Sequence, residues 1–108
     1  MKKLLIILFA PAIACAQGIP ENCQAPMAHD MEMTNIPYLL DLPDSAAHIS
    51  KIDTLGGTPA YEIFPGRYRI DCYLNVHWSN GTVDYGYRFS VWEDRYGDVK
   101  GTYGRRIN

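Results

Sequence analysis

A mainly β fold, an antiparallel meander of four to five strands forming a small sandwich or half-open roll, is predicted by three features of this sequence. From Arg67 to Trp78 the residues alternate for twelve positions: Tyr68, Ile70, Cys72, Leu74, Val76 and Trp78 fall on one face, and Arg67, Arg69, Asp71, Tyr73, Asn75 and His77 on the other. Asn80-Gly81 follows, a dipeptide suited to the positive φ angles of a tight hairpin turn. A second alternating run then begins at Val83. An irregular N-terminal arm and at most one short helix complete the expected architecture.

The chain opens with Lys2 and Lys3, an apolar run from Leu4 to Ala10, and the small-residue stretch Ala12–Ala16. This is the pattern of a secretory signal peptide over residues 1–16, too short for the roughly 20 apolar residues of a membrane-spanning helix. Ala14-Cys15-Ala16 is a small-x-small cleavage site that would leave Gln17 as the new N-terminus of a periplasmic or secreted protein. Ala12-Ile13-Ala14-Cys15 also resembles the lipobox of bacterial lipoproteins, which implies a lipid anchor at Cys15 and an envelope lipoprotein instead.

Loss of Lys2 and Lys3 with the leader leaves eight basic against twelve acidic residues, a formal charge of −4. That balance argues against a nucleic-acid partner, which calls for a clustered basic face. About ninety residues remain in that case, enough for one domain and one core.

Both processing routes leave Cys23 and Cys72 as a pair, and an oxidising compartment favours a disulfide between them. Closing a loop of about fifty residues is worth on the order of 4 kcal/mol in the chain-entropy account. Residues 17–43, with Pro20, Pro26, Pro37 and Pro43, read as an arm that packs on the sheet, and residues 44–108 as the β domain. At the start of that domain, Asp44-Ser45 before Ile49, Ile52 and Leu55, with Gly56 closing, fits a short capped helix. A strand over Ala47–Asp53 that turns at Gly56-Gly57 fits the same residues.

The remaining strands follow from turn chemistry. Four are expected: Pro59–Phe64, Arg67–Trp78, Val83–Glu93 and Val99–Gly104. A two-residue loop at Asn80-Gly81 pairs Trp78 with Val83, Val76 with Tyr85, Leu74 with Tyr87, Cys72 with Phe89 and Ile70 with Val91 inside. Outside, it pairs His77 with Asp84, Asn75 with Gly86, Tyr73 with Arg88, Asp71 with Ser90 and Arg69 with Trp92. A turn at Phe64-Pro65-Gly66-Arg67 sets Glu62 beside Arg69 and Tyr61 beside Ile70. A three-residue loop Arg95-Tyr96-Gly97, with Gly97 left-handed, pairs Phe89 with Tyr103 and Trp92 with Lys100. The apolar segment Ile36-Pro37-Tyr38-Leu39-Leu40 is the natural lid for the inner face.

The outer face of this sheet gathers Arg69, Tyr73, Arg88, Trp92 and Lys100, residue types enriched at binding hot spots. They point to a binding surface for an envelope or extracellular protein or glycan, and to an exported, non-enzymatic module of the inhibitor, immunity or adaptor kind. Cross-strand cation–π pairs, Arg69 and Lys100 on Trp92 and Arg88 on Tyr73, would account for the same residues as sheet stabilisers. Met27, His29, Met31 and Met33 lie on one side of an extended arm and offer thioether and imidazole ligands for Cu(I) or Ag(I), so a periplasmic copper or silver binder is the alternative function. His77 facing Asp84 is the one pair with acid–base character, and no nucleophile accompanies it.

Overall fold

The computed structural model describes residues 18–43 and 46–105, and the signal peptide, the Cys15 anchor and the Asp44-Ser45 cap lie outside them. In chain order the elements are α1 (Pro26–Leu39), β1 (Ile49–Gly57), β2 (Tyr61–Phe64), β3 (Arg67–Trp78), β4 (Val83–Glu93) and β5 (Val99–Arg105). The five strands form one antiparallel sheet in the order β1-β3-β4-β5, and β2 pairs with β3 beside β1. β3 is long enough to serve two short partners on one edge, β2 on its first residues and β1 from Cys72 to Trp78. The meander and its mainly β character agree with the sequence reading.

The arm is not irregular. Pro26 opens a fourteen-residue helix at a position where the missing N–H costs nothing. At the other end, Leu42 N–H reaches Pro37 O, Asp41 N–H reaches Tyr38 O, and Asp41 takes a φ of 55°. This is the Schellman arrangement with aspartate in the place glycine usually holds. The helix lays Ala28, Glu32 and Ile36, one every fourth residue, against the inner face of the sheet. The lid segment does cover the sheet as expected, through buried Ile36 and through Leu39, which packs on the core.

Ile49–Gly57 forms a strand rather than the capped helix. Ser50 is an extra residue in the β1–β3 ladder, a bulge that returns Ile52 to the same face as Ile49 despite their spacing of three. Leu55 is extra in a second bulge and is exposed. The three-residue spacing that imitates a helix therefore comes from a bulge.

The β3–β4 register holds as predicted from Arg69↔Trp92 to Leu74↔Tyr87 and then slips by one. Trp78 O accepts from Gly81 N–H and Trp78 N–H donates to Thr82 O, so the loop is Ser79-Asn80-Gly81, three residues rather than two. The slip is absorbed at Gly86, which takes a φ of 66° in a bulge and donates its N–H to Asn75 Oδ1 at 2.9 Å. As a result Val76 faces Asp84 and His77 faces Val83; the pairs Trp78–Val83, Val76–Tyr85, Asn75–Gly86 and His77–Asp84 do not form. Gly86→Ala is expected to cost about 1 kcal/mol from backbone strain alone, because its Cβ would meet nothing within 4 Å; urea unfolding of the variant measures it.

The β4–β5 register, Phe89↔Tyr103 and Trp92↔Lys100, is as predicted, with Gly97 left-handed in its loop. The Pro65-Gly66 turn also forms, but a shift between Glu62 and Phe64 sets Tyr61 opposite Arg69 instead of Ile70. The core joins Ile70, Cys72, Leu74, Val76, Phe89 and Val91 of the sheet to Ile19, Cys23 and Ile36. Cys23 and Cys72 form the expected disulfide, which ties the segment before the helix to the central strand.

Candidate functional site

The outer sheet face is built around Asp71. Its neighbours on alternate positions and adjacent strands converge on the carboxylate: Arg69 Nε at 3.0 Å, Ser90 Oγ at 2.5 Å and Tyr61 OH at 2.9 Å all donate to it. Burial alone would raise the Asp71 pKa, but these hydrogen bonds and the Arg69 charge outweigh it and hold the carboxyl below its usual range. Arg69, fixed by Asp71, lies 5.0 Å from the centroid of the Trp92 ring. The face thus carries a preorganised row of Tyr61, Asp71, Arg69 and Trp92. Tyr61 is a residue that sequence reasoning placed inside, because the register shift at Glu62 could not be read from local composition.

Of the other predicted site residues, Tyr73 and Arg88 face each other across β3 and β4, Tyr73 half-buried and Arg88 exposed. Arg88 has no ion-pair partner among the described residues. Lys100 stands opposite Trp92, exposed, with its Nζ 3.9 Å from Asp94. The five residues therefore share one face, and of the cation–π pairs that the sequence anticipated there, the Arg69–Trp92 stack is formed. With one helix and one sheet among the described residues, and the helix on the inner side, no second layer of described residues covers this face.

Toward the β1 edge the same face carries a second group. His77 pairs with Asp53 at 2.8 Å instead of Asp84, and Lys51 approaches the other Asp53 oxygen at 3.4 Å. The His77 hydrogen bond, chiefly, lowers the Asp53 pKa. The partner came from β1, whose strand character the sequence left open.

The methionine-rich segment is helical, and this changes its geometry. Side chains two positions apart on a helix point roughly 200° apart, so Met27 and Met31 share one side and His29 and Met33 another. Met27 and Met33 are exposed, while Met31 packs against the core. The single row of ligands expected of an extended arm is not formed. Among the described residues no group of three or more His, Cys, Asp or Glu side chains is placed to hold a metal ion. No described helix is long and apolar enough to cross a membrane.

No protein-family model matches the chain, and neither does any curated protein or solved structure.

Proposed function

We propose that the protein is an exported, non-enzymatic binding module of the cell envelope, of the inhibitor, immunity or adaptor kind, which engages a protein or glycan through the open face of its sheet. The observation that carries this reading is the Arg69–Trp92 stack locked by Asp71, next to exposed Arg88, which has no ion-pair partner among the described residues, on a face that no layer of described residues covers. A rigid aromatic–guanidinium platform offers a large contact area that loses little conformational entropy on binding, which is what a hot spot requires. The Cys23–Cys72 disulfide supports an oxidising compartment and stiffens the strand that bears Arg69, Asp71 and Tyr73.

The test is capture of envelope proteins and glycans by the oxidised protein, beside a Trp92→Ala/Arg88→Ala variant. Binding is expected to weaken at least tenfold in the double variant, on the order of what a single hot-spot pair contributes. Arg88→Glu, at an exposed position that leaves the Asp71 network intact, should weaken it on its own while the near-UV circular dichroism spectrum stays unchanged. Undiminished capture by both variants sinks the reading.

A further inference from the structure

A separate cleft opens on the inner side of the sheet, at the β3–β4 hairpin tip, beyond the reach of the helix. It holds about 340 Å³ and is walled by Leu40, Leu42, Ala47, Trp78 and Tyr87, with Asp84 at its polar side. Every other described lining residue is uncharged. Trp78 Nε1–H donates to Asp84 Oδ2 at 3.0 Å, and the Tyr103 hydroxyl donates to the same oxygen at 2.7 Å. Both donors are neutral and so do not offset a carboxylate charge, and Oδ1 accepts no hydrogen bond among the described residues. Burial, and then the Asp84 hydrogen bond, raises the Tyr103 pKa far above its usual value, which keeps that hydroxyl a donor.

The carboxylate reaches this position through an irregularity. With a two-residue hairpin loop the position opposite Val76 would belong to Tyr85, an aromatic side chain on an apolar face. The three-residue loop and the left-handed Gly86 instead place Asp84 there and leave Tyr85 exposed. An anion beside apolar and aromatic walls, with no cation within 4 Å of it among the described residues, is the environment that organic ammonium groups occupy, through charge, hydrogen bonds and the faces of Trp and Tyr.

We propose that this cleft binds a small amphiphilic amine, its ammonium on Asp84 and its apolar body against Leu40, Leu42 and Trp78. The site is distinct from the open sheet face and stands without it.

The probe is hexylammonium chloride, titrated into the oxidised protein while the indole N–H resonance of Trp78 is followed, with that of Trp92 as internal control. A saturable shift of Trp78 alone is expected, at least tenfold weaker for the uncharged 1-hexanol and at least tenfold weaker in Asp84→Asn. That variant keeps one acceptor oxygen for Trp78 and Tyr103 and replaces the charged, open oxygen with an amide NH2. The amine-against-alcohol comparison needs no variant, so it decides the matter even if Asp84→Asn folds poorly. Equal binding of amine and alcohol, undiminished binding by a folded Asp84→Asn, or no shift at Trp78 overturns the proposal. Binding of an acetyl-glycyl-lysyl-glycinamide peptide without binding of the free amine overturns it too, because the occupant would then be a protein side chain.

Discussion

Replacing Gly57 with alanine is expected to destabilise the protein by about 3 kcal/mol, combining overpacking with a left-handed backbone penalty. Gly57 is the last residue of β1, sits opposite Cys72 and has a φ of 155°. A Cβ there would collide with the Asp71 carbonyl oxygen and lie 2.5 Å from Cys23 Sγ and 3.1 Å from the Cys72 Cα. Two of these neighbours are main chain at the centre of the sheet and the third is a sulfur held by the disulfide, so none swings aside at low cost. Either β1 lifts from β3 or the cystine shifts, and with it the segment that leads into the helix. Gly56→Ala is the matched control, since its Cβ meets nothing within 4 Å at a φ of 150°. Denaturant unfolding of both oxidised variants should show a clearly larger loss for Gly57→Ala. A cost below about 0.5 kcal/mol at Gly57 would mean that the close approach of β1 to the disulfide is wrong.

The second large effect is a loss of stability as pH rises. Glu32 is the middle member of the stripe that α1 presses on the sheet; it is fully buried, and neither carboxylate oxygen has a hydrogen-bond partner among the described residues. Burial raises its pKa from 4.5 to about 7. Because the folded value lies above the unfolded one, the fold holds the proton more tightly than the open chain does. The associated stability is complete below about pH 4.5, declines as pH rises toward 7, and changes no further above that. A shift of this size corresponds to about 3 kcal/mol. Asp53, Asp71 and Asp94 act in the opposite direction, but their lowered pKa values confine that effect to pH below their ordinary 3.8. Glu32→Met, of similar volume and apolar, is expected to remove the decline and to make the protein more stable than the parent at pH 8. Thermal unfolding from pH 4 to pH 8 gives the readout; parallel curves for parent and variant would show that the carboxylate finds a partner or water.

Glu32 also explains why the helix was illegible. Ala28 and Ile36 lie on one helical stripe with it, but a glutamate at the centre breaks the apolar period by which a helix is recognised. Met27, Met31 and Met33 alternate with polar residues and imitate an extended segment, and Pro37 within the last turn argues against a helix on local grounds. The bulge at Ser50 produced the converse ambiguity, a strand whose apolar residues sit three apart and so fit a helix equally well. In each case the local pattern was genuine and was outweighed by contacts made elsewhere in the chain.

The candidate face was legible where strands run without interruption. Arg69, Tyr73, Arg88, Trp92 and Lys100 were grouped correctly because alternation and the three-residue Arg95–Gly97 loop set their register. Tyr61 and Asp84 were misplaced because each lies beyond a bulge, and one inserted residue exchanges the two faces of a strand; Asp53 was given no face because the strand that bears it was left open.

By itself, then, the sequence determined the β3–β4–β5 meander, the register of its central part, the cystine and the composition of the outer face. Period-two patterning and turn chemistry act over a few residues, and the chain can be read at that range. Tertiary structure alone decided that the arm coils into a helix over the sheet, that β1 joins the long edge of β3, and that Asp84 turns inward at the hairpin tip. Those outcomes depend on which surfaces remain to be covered once the central strands have paired, and that is a property of the assembled core.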